Sequence, residues 1–349
     1  MKIKWMFLFL GCLLSTETFC QIAEFSGEYA SEWQWNMGHD KATDKTTNWV
    51  NFLRLDASLS PWESGSFDVA TLSVVKTNET IINDWQTFSN IEDENNVLMI
   101  AVLGYMQTFE RAHLFVGVRN VNEDYFTSEC TSFFTNSSPG IFPTIYYPIA
   151  NYPLSSLGIH FDVSWNNWTL KSSVYSGTAY NGWKKGDNPF VFRPKHDGFF
   201  TIHELSYTYD KSSYFVGITF HNKRFIFDDE GEVADVKTHL SCAWWLYGEQ
   251  LLWEGNDQDL FLMAQYSENT DKKADCYRYA ELGAIYNLKD NRIGASQQFA
   301  QYLAGKEWST ELTYYRDITK FFAVQPTFQY IRNGEGNFTV LCARVYLTF

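Results

Sequence analysis

Residues 156–176 read SLGIHFDVSWNNWTLKSSVYS. Leu157, Ile159, Phe161, Val163 and Trp165 alternate with Gly158, His160, Asp162 and Ser164. The alternation resumes after only Asn166 and Asn167 and runs to Ser176. A period of two sends successive side chains to opposite faces of an extended chain. Each half of this stretch is therefore a strand with one apolar and one polar face.

The same pattern recurs outward in both directions. Leu205, Tyr207 and Tyr209 oppose Glu204, Ser206 and Thr208; Tyr214, Val216, Ile218 and Phe220 oppose Gly217, Thr219 and His221. Sixteen such segments are predicted, near 25–35, 48–59, 67–76, 96–105, 111–119, 156–165, 168–176, 200–209, 213–222, 239–248, 258–267, 276–287, 291–300, 307–315, 320–331 and 338–349. Their connections alternate. Short ones fall near 60–65, 166–167, 210–212, 288–290 and 316–319. Long ones are 36–47, 77–95, 120–155, 177–199, 223–238 and 268–275; the 249–257 connection is the least distinct. An even strand count, short turns on one side and long loops on the other describe a transmembrane, antiparallel, up-and-down β-barrel with both termini periplasmic. The fold class expected is all-β.

Strand 338–349 agrees. Leu341, Ala343, Val345, Leu347 and Phe349 share one face; Val340, Cys342, Arg344, Tyr346 and Thr348 share the other. An ordinary edge strand would be blunted by charge or proline, and this outer face carries neither. Trp165, Trp168, Tyr209, Tyr214, Tyr286, Tyr314 and Tyr315 stand beside short turns, where interfacial girdles lie. Seven of the 8 prolines fall in connections, but Pro326 lies inside a strand, so a bulge is expected there.

Composition sets the remaining bounds. The chain has 349 residues, 18% aromatic and only 19% charged, which excludes intrinsic disorder and a helical coiled coil. With 27 Lys+Arg against 41 Asp+Glu it has no basic footprint for nucleic acid. Beyond residue 20 the longest apolar run, 97–105, is too short for a transmembrane helix. Residues 1–20 carry Lys2 and Lys4, an apolar core from Trp5 to Leu14, and Thr18 and Cys20 at cleavage-site spacing. They read as a Sec-type signal peptide, leaving one domain over 21–349. Cys130, Cys242, Cys276 and Cys342 remain, as free thiols or as two disulfides in any of three connectivities. No C-x-x-C suggests a metal, and no cofactor is expected.

Sixteen strands leave an aqueous lumen. Parity places Arg54, Asp56, Arg119, His160, Asp162, Lys171, Glu204, Glu281, Glu311, Gln325, Gln329 and Arg344 on its wall. A wall of both signs suits neutral polar solutes better than ions. The chain also resembles the carbohydrate-selective outer-membrane porins of the OprB type. The resemblance is carried by WSTELTYY at 308–315, QPTFQYI at 325–331 and the closing Arg344 to Phe349. Gly117-Val118-Arg119-Asn120, FFTNS at 133–137 and Tyr247-Gly248-Glu249-Gln250 add to it. Two positions depart: Thr327 stands where the family commonly has an acid, and Asn333 is not followed by proline. The resemblance implies a sixteen-stranded porin in a Gram-negative outer membrane, passing small sugars by facilitated diffusion, and a homotrimer. It also implies a constriction by an inward-folded third loop, here 120–155, and that Pro326 is a family feature.

Arginine only donates hydrogen bonds and carboxylate only accepts, so such pairs suit sugar hydroxyls. Arg119, Glu204 and Glu311 are the first candidates for substrate contact, with Arg54, Arg344, Gln325 and Gln329 behind them. A salt-bridged network that merely shapes the wall is the other reading of the same residues. Three alternatives differ in function: a general diffusion pore, an outer-membrane barrel enzyme of lipase type, and a secreted carbohydrate-binding or glycosidase sandwich. No His-Glu-x-x-His, Gly-x-Ser-x-Gly or Walker pattern supports a catalytic site.

Overall fold

The computed structural model describes residues 22–145, 149–227 and 233–349. The expected signal peptide lies outside them. Among the described residues sixteen antiparallel strands close into one barrel. They are β1 (Ile22–Asn36), β2 (Thr47–Trp62), β3 (Gly65–Lys76), β4 (Asn96–Thr108), β5 (Ala112–Arg119), β6 (Ser156–Trp165), β7 (Trp168–Ser176) and β8 (Phe199–Tyr209). The second half is β9 (Ser212–Phe227), β10 (Val233–Gly255), β11 (Gln258–Asn269), β12 (Cys276–Leu288), β13 (Asn291–Tyr302), β14 (Lys306–Thr319), β15 (Phe322–Arg332) and β16 (Asn337–Thr348). Each strand pairs with its sequence neighbours, and β1 also pairs with β16, as in Tyr29↔Leu347. Closure gives every strand a neighbour on both sides, whereas an open edge in hydrocarbon would cost several kcal/mol per polar group.

Several predicted details shift. The described residues of segment 223–238 are strand rather than loop: β9 runs to Phe227 and β10 starts at Val233, pairing Arg224 with Lys237 and Phe225 with Val236. Most of 249–257 is likewise strand, and β14 runs on to Thr319, moving the predicted turn to 320–321. Pro326 makes no bulge. It pairs with Ala343 in a register that is unbroken from Phe322 to Arg332, and β14 keeps one register on either side, Thr313↔Thr327 and Arg316↔Val324. A missing N–H removes a ladder hydrogen bond but adds no residue, and the exposed ring faces outward. Of the seven predicted girdle aromatics, Tyr315 faces inward; its ring lies 6.0 Å from Tyr346. The four cysteines are free, three of them buried.

The interior is filled from above. Tyr125, Phe126, Phe142 and Ile145 of loop 120–155 pack on Tyr175, Phe200, Ile202, Trp245 and Tyr279 of the inner wall. The Trp245 indole lies 5.1 Å from Phe126 and 5.8 Å from Phe142, ring centre to ring centre. Such aromatic pairs add about 0.5–1.5 kcal/mol beyond burial. Gly217, opposite Trp245 in the ladder, makes room for that indole: a Cβ there would sit 1.9 Å from its ring. Loop 77–95 also folds inward, setting Ile81, Ile82 and Phe88 against Ile331, Phe338 and Val340.

Candidate functional site

Loop 120–155 leaves the end of β5 and crosses the lumen. Its first turn, the 3-10 segment Val121–Glu123, is pinned at both ends. Arg119 donates to Asp124 at 2.5 Å and stacks over Phe115. Lys171 on β7 donates to the Asp124 carbonyl. His160 lies between two acids, Nδ1 3.5 Å from Asp124 and Nε2 3.4 Å from Asp162. Burial pushes the Asp124 carboxyl up, against the opposing pull of Arg119, His160 and Lys171. Tyr125 then bonds Ser173 at 2.8 Å.

Across the lumen the loop is latched to the far wall. The Glu311 carboxylate accepts from the backbone N–H groups of Thr135 at 2.7 Å and Asn136 at 3.1 Å, and from the Thr135 hydroxyl. Gln325 donates to Phe133 O at 2.7 Å, and Gln329 donates to Phe88 O at 2.6 Å. Arg344 pairs with Glu32 at 2.7 Å and donates to Asn90 and Ser89 of loop 77–95. Glu307 accepts from the N–H groups of Trp85 and Gln86. The two loops join where Asn90 N–H donates to Thr135 O at 2.7 Å. Glu204 meets Trp245 at 3.3 Å and Lys171 at 3.6 Å, and Glu281 bonds Gln265 and Tyr279.

The predicted lumen residues thus divide. Glu204, Glu311, Gln325, Gln329 and Arg344 face inward but are buried beneath or between the loops. Arg54 and Arg119 line an open cavity of about 550 Å³ beside β1–β4, together with Asp56, Asp68 and Glu123. There the Arg54 guanidinium is held on both sides: Nη1 and Nη2 grip Glu123 at 2.7 and 3.0 Å, and Nε donates to Asp56 at 2.9 Å. A second cavity of about 570 Å³ also borders the Val121–Glu123 turn, at Asn122. It is lined by both loops, including Trp85, Asn90, Asp93, Asn122, Asn151 and Tyr152, and by Tyr302. Sequence reasoning missed Glu123, Asp124 and the whole inward course of loop 77–95, because irregular backbone carries no parity to read. Among the described residues no cluster of His, Cys, Asp and Glu is arranged to hold a metal.

Known proteins match the chain in family and in fold. The model of the carbohydrate-selective porin, OprB family, matches residues 71–346. The high-pH structure of Pseudomonas putida OprB superposes with a TM-score of 0.77 at 16% identity, covering 94% of each chain. The low-pH structure of the same protein gives 0.61 at 14% identity, over 100% of this chain and 98% of that one. OmpT of Vibrio cholerae lacking loop L8 gives 0.61 at 8% identity, over 94% and 99%. Among curated proteins, none matches the chain. A sixteen-stranded barrel whose lumen is narrowed by inward loops, matched over most of its length by this family model, belongs to the OprB family of carbohydrate-selective porins.

Proposed function

We propose that sugars descend the β1–β5 side of this outer-membrane porin, from the cavity between the two loops, past the Val121–Glu123 turn, to the cavity beside Arg54. The observation that carries this reading is the Arg54 fork. It is a partly exposed guanidinium with carboxylates on both sides, at the turn that borders both cavities. Its five N–H donors and the four oxygens of Asp56 and Glu123 can trade their mutual bonds for sugar hydroxyls. Arg54 and Arg119 face Asp56, Asp68, Glu123 and Glu24 here, so the passage offers a neutral polyol both donors and acceptors on a lining whose acids outnumber its cations. Arg119 holds the turn in place through Asp124 and also borders the lower cavity.

The chain is read as exported by residues 1–20, inserted as the barrel 21–349 among outer-membrane lipid, and assembled as a homotrimer without a catalytic role. Liposomes containing the purified barrel test the path by swelling in isosmotic glucose, a disaccharide and a zwitterionic amino acid. Glucose should enter faster than an amino acid of similar size. Arg54→Ala and Glu123→Gln should each lower that ratio several-fold while the barrel stays heat-modifiable. Rates ordered by solute size alone, before and after substitution, would make it a general diffusion pore.

A further inference from the structure

The barrel wall has a notch. Strands β5, β6 and β7 have 8, 10 and 9 residues, against 13 in β4 and 16 in β9. Pairing of β4 with β5 begins at Leu103↔Val118, so among the described residues the upper edge of β4 has no strand on that side. Side chains cap its carbonyls instead: Ser155 donates to Ile100 O, and Trp183 Nε1 donates to Leu98 O at 3.1 Å. Trp183 belongs to loop 177–198, which joins β7 to β8 and reaches back over β6 and β5 to β4. At the notch this loop stands where the wall is low.

Its outer surface is unlike that of the other loops. Trp183, Phe190 and Phe192 are each about half exposed or more. Phe192 packs on Phe199, the outward-facing first residue of β8, so the apolar wall continues up into the loop. The charge also reverses. In an acidic chain this loop holds Lys184, Lys185, Arg193 and Lys195 against Asp187 and Asp197. Asp197 is fully buried and paired with Arg193 at 3.2 Å and His196 at 2.7 Å. Asp187 turns its carboxylate to the Gly182 N–H at 3.2 Å. Among the described residues no carboxylate lies within ion-pair distance of Lys184, Lys185 or Lys195, and all three are exposed.

We propose that loop 177–198 is a docking face for the phosphorylated glycolipid of the outer leaflet, its aromatic rings entering the acyl boundary and its three free lysines meeting the phosphates. Rings at the interface and lysines above them are the arrangement that holds protein to anionic lipid. The proposal rests on the outer-membrane reading of the barrel. A second copy of this chain is the rival occupant of the same face.

The test is native mass spectrometry of the detergent-purified barrel with bis-phosphorylated lipid A and with its dephosphorylated form. The wild type should retain the phosphorylated lipid at least tenfold better. K184E/K185E/K195E should erase that preference, since each lysine near an anionic surface contributes roughly fivefold. Heat-modifiable migration checks folding, and K184Q/K185Q/K195Q serves if the reversal variant fails that check. W183A/F192A should weaken retention of both lipids. Equal retention of the two lipids by the wild type, or a full preference in a folded lysine variant, would overturn the proposal. So would a lysine variant that changes the number of copies per particle and leaves lipid retention alone, which would make the face a subunit interface. Swelling assays on the same preparations separate the two readings: lost sugar preference with intact lipid preference would sink only the permeation path.

Discussion

The two sides of the lumen use the same inward-facing polar residues in opposite ways. Along β14–β16, Glu311, Gln325, Gln329 and Arg344 are at most 3% exposed, each bonded to a loop or to another wall residue. Along β2, Arg54 and Asp56 keep 28% and 34% of their side chains accessible and border a cavity. Strand parity is identical on the two sides. What differs is whether a loop lies on top. Polar wall groups under a loop act as anchors, and those left uncovered can act on solute. The first class should therefore govern stability and pore width, and the second should govern selectivity.

The sharpest way to break this division is Arg344→Met. It leaves Glu32, itself fully buried, without its cation. Removing one partner of a buried pair costs about 3–5 kcal/mol. The heat-modifiable transition should fall steeply, and Arg344→Met combined with Glu32→Gln should recover part of the loss. A single variant as stable as the wild type would mean the covered side is not structural. Next in size is Glu311→Ala, which strips the acceptor from the N–H groups of Thr135 and Asn136. Hydrogen bonds to a charged group contribute about 1.5–3 kcal/mol. Loop 120–155 should loosen, and a trisaccharide that swells wild-type liposomes slowly should enter several-fold faster. An unchanged size cutoff would argue that the aromatic packing on Trp245 holds the loop without the carboxylate.

Much of the barrel was legible because a membrane imposes period-two patterning wherever a strand faces lipid. Where no lipid is faced, the signal fails. The upper hairpin of β9 and β10 carries Lys223, Arg224 and Lys237 and reads as a loop, although it is paired strand. Tyr314 and Tyr315 could not both face outward, and adjacency alone should have sent Tyr315 inside. For the site, parity told which side chains point inward but not which of them a loop would cover. The Glu311 latch is made to backbone N–H groups 175 and 176 residues away, which leave no trace in side-chain type. The Arg54–Glu123 pair spans 69 residues from a strand to an irregular turn. Arg119 was legible because it ends a strand at the base of the longest loop.

On the uncovered side the comparison predicts the reverse balance. Arg54→Ala should change the glucose-to-amino-acid swelling ratio several-fold, yet cost no more than about 1 kcal/mol in stability, as expected for a part-exposed ion pair. A large stability loss without a selectivity change would place Arg54 among the anchors.

The smallest effect expected is one of pH, at Asp84 in loop 77–95. Its carboxylate accepts from Phe88 N–H at 2.6 Å. Burial, reinforced by the nearby Glu307 charge, pushes its carboxyl well above the usual carboxylate range. A raised value in the docked loop means the docked state holds its proton more tightly than the free chain does. Docking is therefore fully favoured in acid and weakens as pH rises through the raised value. Amide exchange at Trp85 and Gln86, corrected for the intrinsic pH dependence of exchange, should show protection falling from acid towards neutral pH. Asp84→Asn keeps the acceptor for Phe88 and removes the Asp84 titration, so the fall with pH should shrink, leaving only what Glu307 contributes at the same N–H groups. Protection that rises with pH in the wild type would mean that no carboxyl held protonated by burial stabilises the docked loop.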